Sequence, residues 1–217
     1  MVTMDWTIAF TPNAVHGPPH IGHMWTLAHA RYLYEMVKLR AKGRAWPGDV
    51  DVKWAVFFDM DSLPEHQSEF LAMADWMGWP FDSCDYAKEW DVFCRNPLSM
   101  LNLTFCLPWR DCGMDELSNA SKLLWMNAKN VYWHPRGYDL TALESQEGDL
   151  IRSLPFRRPI PKYHPVLNDE TGVKIGGVGV SDEYIVNRLG RFDPDDVMAT
   201  LCGACGFDDK FNANIHN

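Results

Sequence analysis

The sequence predicts an α/β fold organised on a parallel sheet, and three observations carry that expectation. Short apolar segments alternate with helical periods along most of the chain, beginning with 7–10, 21–39 and 52–59. The segment Val52–Asp59 (VKWAVFFD) is almost continuously hydrophobic, as a strand covered by helices on both faces must be. It ends in carboxylates, at the edge where parallel sheets carry their functional groups. The 217 residues suit one such domain, 1–217, with an insertion at 79–129, better than two equal domains.

The elements follow in order. Thr7–Phe10 is a short strand, and Thr11–Pro19 is a loop with three prolines and a glycine. From Ile21, the residues Trp25, Ala28, Tyr32, Met36 and Leu39 recur at steps of three or four, an amphipathic helix that Lys42-Gly43 stops. After the strand ending at Asp59, Ser62-x-x-Glu65 reads as a capping box with Pro64 in the first turn of a helix that Gly78 closes. Residues 79–114 lack a period and are rich in proline and tryptophan, hence the insertion. A helix over 115–129 and a strand over 130–134 come next. Asp169–Gly172 is a turn, Lys174–Ser181 a glycine-rich loop, a helix starts near Asp182, and the last helix runs from Asp193-Pro194 to Gly206.

Composition excludes several classes. Hydrophobic residues at 47% rule out a chain that stays unfolded for want of apolar surface, and no apolar run is long enough to cross a bilayer. A net charge of −9 argues against coating by nucleic acid, although 152–162 gathers four cations without an acid, as a local basic groove or a solvated loop. The start Met-Val-Thr-Met-Asp-Trp has neither the basic nor the apolar part of an export signal, which predicts a cytoplasmic protein with reduced thiols. Cys202 and Cys205 read as structural thiols. A zinc site at Cys94, Cys106 and Cys112 stays open.

The most informative stretch is Gly17-Pro-Pro-His20-Ile-Gly-His23, between a strand and a helix. Two imidazoles three residues apart at a loop-to-helix junction can face a helix N-terminus, where free N–H groups and the dipole favour phosphate. Gly22 leaves room there for a flat base. The alternative is that the pair caps the helix.

In order and type, these motifs resemble the catalytic domain of class I aminoacyl-tRNA synthetases, in particular the glutamyl/glutaminyl branch. The His-Ile-Gly-His signature of that class is His20-Ile21-Gly22-His23. The acidic strand end is matched by Phe58-Asp59-Met60-Asp61, followed by Met77-Gly78-Trp79. The Arg-Gly-x-Asp element is matched by Arg136-Gly137-Tyr138-Asp139, and the approach to the second signature by His164–Gly172. The resemblance covers nearly the whole chain and implies a Rossmann-like (HUP-type) nucleotide-binding fold with an inserted subdomain, without anticodon-binding domains. It implies ATP with Mg²⁺ and an amino acid as ligands, and a tRNA or other nucleic acid as acceptor. His20, His23 and Lys174 would act in catalysis; Pro12, Gly22, Asp139, Val166, Leu167, Gly176 and Gly177 would hold the nucleotide; Asp59, Asp61, Arg136 and Tyr138 would hold the amino acid.

Three departures from the branch bear on function. The second signature, normally a Lys-Met-Ser-Lys-Ser type loop, is Lys174-Ile-Gly-Gly-Val178, so its first lysine is kept and its second is Gly177. Lost charge neutralisation there costs orders of magnitude in rate unless Gly176, Gly177 and Gly179 form a backbone nest, or Lys162 or Arg188 substitutes. The branch arginine that holds an acidic side chain falls at Ala9 or Phe10, and the acid before the Asp-x-Asp pair falls at Phe58. These changes argue against glutamate and for a small or apolar amino acid. The alternatives are transfer of an aminoacyl or nucleotidyl group to a small molecule, and a silent nucleotide-binding paralogue. Asp59 and Asp61 as helix caps, and Arg136 with Asp139 as a local ion pair, are the structural readings of the same residues.

Overall fold

A computed structural model describes residues 4–10, 18–42, 50–59, 62–90, 114–141, 159–166, 168, 171–172, 193, 195–196, 199 and 203. These supply strands β1 (Met4–Phe10), β2 (Val50–Phe58), β3 (Ser83–Tyr86), β4 (Val131–Gly137) and β5 (Ile160–His164). The helices are α1 (Ile21–Lys42), α2 (Pro64–Trp76) and α3 (Met114–Ala128), with a 3₁₀ turn at Tyr138–Leu140. All strand pairs are parallel, in the order β3-β2-β1-β4-β5. The expected α/β fold is therefore observed, with the strand order of a Rossmann-like nucleotide-binding half.

One face of the sheet packs on α1 and α2. Ile8, Trp54, Val56, Phe58 and Trp133 meet Met24, Trp25, Leu27, Ala28, Leu33, Val37, Phe70 and Met73 in a single cluster. Strand alternation sends Ala55 and Phe57 to the opposite face, where the Phe57 ring lies 4.9 Å from that of Trp125 on α3. β2 is thus covered on both sides, which its unbroken apolar run required. The buried face of α1 is wider than the expected stripe and shifted from it: Leu39 is exposed, whereas Met24, Leu27, Ala30, Leu33 and Val37 are buried.

A bulge shapes the centre of the sheet. Thr7 pairs with Val131 but Ile8 pairs with Trp133, so β4 carries one extra residue there. Tyr132 and Trp133 consequently both turn toward the α1 side, Tyr132 stacking on Trp6 at 4.2 Å and Trp133 lying under Lys162 and Arg40. Beyond the bulge, His134 and Arg136 point to the α3 side.

Helix α2 starts one residue later than a Ser62 capping box requires. Its N-cap is Leu63, extended at φ −77°, ψ 135° and without a side-chain cap bond. Pro64 forces that extended conformation on the residue before it, so the helix cannot begin earlier. Gly78 ends it as expected. With φ +71° it donates to the Asp75 carbonyl while Trp79 N–H donates to Ala74, the paired bonds of a Schellman turn.

Within the expected insertion 79–129, the described residues are 79–90 and 114–129, and they include β3 and α3. β3 pairs with β2 and is held at its entrance by Asp82, whose carboxylate accepts from Trp54 N–H at 2.7 Å and whose own N–H donates to the Trp54 carbonyl at 2.8 Å. Asp193 Oδ1 accepts from Asp195 N–H at 2.8 Å, and 195, 196, 199 and 203 are helical, in keeping with a last helix beginning there. The glycine-rich loop, the helix near Asp182 and Cys94, Cys106, Cys112, Cys202 and Cys205 lie outside the described residues. Among the described residues no helix is long and apolar enough to cross a membrane.

Candidate functional site

The β1–β4 ladder ends at Ile8–Trp133, whereas the β4–β5 ladder runs on to Gly137–His164. The two central strands therefore part at their C-terminal ends. This is also where the strand order reverses, β1 leading outward to β2 and β3, β4 to β5. Open parallel sheets bind ligands in that crevice. Pro135 is tolerated in a central strand because it lies past the last pair with β1.

The N-terminus of α1 stands over the crevice, and its two histidines hold each other. The His20 carbonyl accepts the first helical bonds from His23 and Met24 N–H at 2.9 and 3.2 Å, which makes His20 the N-cap. His20 Nδ1 accepts from Gly22 N–H at 3.1 Å, and His23 Nδ1 accepts from His20 N–H at 3.2 Å. This is a capping box built from imidazoles, with the roles of serine and glutamate both taken by histidine. With each Nδ1 accepting, the ring proton of each imidazole sits on Nε2. The rings lie 4.0 Å apart, and the Phe70 ring of α2 meets His23 edge-on at 6.0 Å. The geometry thus shows the pair in its capping role.

On the α3 side, Arg136 and Lys122 are 3% and 4% exposed and flank the buried His134. Burial, then Arg136 and Lys122, hold the His134 imidazole well below its ordinary pKa, so it is neutral. Arg136 is level with Tyr163 on β5, and the Tyr163 ring stacks at 5.4 Å on Tyr138, which is 58% exposed. Half-buried Asp59 follows β2, its carbonyl accepting from Ser62 N–H at 3.1 Å. β1 alone lies between β2 and β4, so Asp59 and Arg136 stand two strands apart at the C-terminal rim. Ala9, on the α3 side of β1, pairs with Ala55, four residues before Asp59.

A third group lies on the α1 side of β5. The Trp25 indole N–H donates to the Pro165 carbonyl at 2.8 Å, and His164 Nδ1 to the same oxygen at 2.9 Å. His29, one turn after Trp25, meets the His164 ring at 5.1 Å, and burial, then His164 and Lys162, lower its pKa to about 3. Among the described residues no group of three His, Cys, Asp or Glu is placed to hold a metal.

No family model matches the sequence, and no curated protein matches it. In three dimensions, 86% of the chain matches a glutamate tRNA ligase from Elizabethkingia meningosepticum, crystallised with its amino acid, at a TM-score of 0.50 and 9% identity. The likeness is one of fold. It spans 53% of the ligase, so the chain corresponds to about half of that protein.

Of the sequence-predicted site residues, His20, Gly22 and His23 lie at the helix end above the crevice, and Asp59, Arg136 and Tyr138 at its C-terminal rim. Half-exposed Val166 follows Pro165, and Asp139 lies in the 3₁₀ turn. Pro12, Asp61, Leu167, Lys174, Gly176 and Gly177 lie outside the described residues. Trp25, His29, Lys122 and His134 were not singled out by sequence as polar members of the site. Their one signal was position, polar or indole groups on otherwise apolar stripes.

Proposed function

We propose that this chain binds ATP at the crevice between β1 and β4 and activates an amino acid as its adenylate. The reading is carried by one observation: the N-terminus of α1, capped by the Nδ1 atoms of His20 and His23, stands at the switch point of the parallel sheet. A triphosphate there would meet the positive end of the helix dipole beside the His20 and His23 imidazoles. Val166 and Leu167 would line the base and Asp139 the ribose, with Pro12, Gly176 and Gly177 giving backbone room and Lys174 the charge at the α-phosphate.

The amino acid would lie at the C-terminal rim of the sheet, its ammonium at Asp59 or Asp61 and a carboxylate at Arg136. A carboxylate oxygen attacks the α-phosphorus, its bond to the bridging oxygen breaks, and pyrophosphate leaves with that electron pair. The protein contributes alignment and charge rather than covalent chemistry. Mg²⁺ accompanying the nucleotide would neutralise charge on the triphosphate. A hydroxyl or amine of a nucleic-acid acceptor then attacks the acyl carbon and AMP leaves. The absence of an arginine at position 9 or 10 favours an amino acid other than glutamate.

Gly177 in place of the second signature lysine favours a second reading, a nucleotide-binding protein without adenylation. Pyrophosphate exchange into ATP, run with each amino acid, separates the two. Exchange that depends on one amino acid and is lost in His20→Ala and Lys174→Ala supports adenylation. ATP binding without exchange supports the second reading, and exchange retained in both variants refutes the site.

A further inference from the structure

We propose that Trp25 is a positioning residue whose indole N–H, together with His164 Nδ1–H, fixes the Pro165 carbonyl and so sets the spacing between the two halves of the nucleotide site. This rests on the nucleotide reading above. Pro165 follows the last residue of β5 and is the root of the segment that includes Val166 and continues to Lys174. Its carbonyl oxygen has two lone pairs and receives two donors, one from α1 at 2.8 Å and one from the end of β5 at 2.9 Å.

The first of these bonds joins residues 140 apart in sequence. Trp25 is two residues beyond His23 on a continuous helix, roughly 3 Å along the axis. The helix that the two histidines cap is thereby tied to the root of the segment assigned to the base. Both donor rings are buried, so the bond is not exchanged for water at no cost. The surroundings hold the knot in shape. The Trp25 ring meets His164 edge-on at 6.4 Å, and His29, one turn further along the same face of α1, meets it at 5.1 Å. A carbonyl acceptor requires His164 to carry its proton on Nδ1, and His29 beside it is neutral.

A device that sets spacing affects only ligands that bridge the spacing. ATP uses both halves, adenosine the Val166 side alone, and inorganic pyrophosphate the His20/His23 side alone. Trp25→Phe keeps an aromatic ring and removes the donor. Calorimetric titration of the full chain should show ATP weakened tenfold or more in Trp25→Phe, with adenosine and pyrophosphate each within twofold of wild type. His164→Leu should show the same selective loss, and it carries the test if Trp25→Phe does not fold. Equal loss for all three ligands, or unchanged ATP affinity in a folded variant, overturns the positioning role while leaving the nucleotide reading in place. Wild-type protein that binds neither ATP nor pyrophosphate overturns both.

Discussion

His20 and His23 each spend one ring nitrogen on the other's end of the helix: His20 Nδ1 takes the Gly22 N–H, and His23 Nδ1 takes the His20 N–H. Under the proposed nucleotide reading, stability and ligand binding are separable at position 20. His20→Ala should lose about 1 kcal/mol, a Tm shift of roughly 2–4 °C for a chain of this size. His20→Ser restores a capping oxygen and should recover that Tm, yet bind ATP as weakly as the alanine variant. Thermal melts and titrations of the two variants check this, and recovery of ATP binding in His20→Ser would assign the histidine to capping alone.

The buried His29 makes stability fall on the acid side. The unfolded imidazole takes up a proton as pH drops through about 6.5, and the folded one only near 3, so in that window the unfolded chain binds more protons and is favoured. The difference amounts to roughly 2 kcal/mol between pH 7 and pH 5. Urea melts at the two pH values should show His29→Phe losing less stability than wild type by about that much. Parallel losses in the two proteins would show that His29 is not held neutral.

Arg136 is buried at the crevice rim, where the geometry of its fork matters as well as its charge. Arg136→Lys should raise the KM for the amino acid tenfold or more, the loss of a charge-assisted bond worth about 1.5–3 kcal/mol, with ATP affinity within threefold of wild type. Equal weakening of both ligands would place Arg136 in the framework only.

Gly78 sits at φ +71°, where a Cβ meets no neighbour but strains the backbone. Gly78→Ala should cost about 1–2 kcal/mol through conformation alone, read as a lower urea midpoint with an unchanged slope.

The sheet and its main helices were legible in the sequence because period and run length report burial directly: β2 and α1 are read from which residues must be covered. β3 and β5 were not: the four mixed-polarity residues of β3 (SCDY) owe their pairing to β2 and to Asp82, and β5 (IPKYH) begins inside the 152–162 cluster that its cations made look like a groove or solvated loop. The start of α2 was misplaced by one residue because Pro64 outweighed the Ser62 box. At the site, His20, His23 and Arg136 were legible as motif members, whereas the Trp25–Pro165 bond joins residues 140 apart that no local pattern connects. Tyr132 and Trp133 sharing one face likewise depends on a bulge that alternation alone does not reveal.

Diffraction from crystals grown with a non-hydrolysable ATP analogue and Mg²⁺ tests the central claim most directly. The account predicts phosphate oxygens within hydrogen-bonding distance of His20 Nε2 and His23 Nε2, with both Nδ1 caps intact and the base beside Val166. A nucleotide bound away from the α1 N-terminus, or imidazoles that leave their caps to reach it, would contradict it.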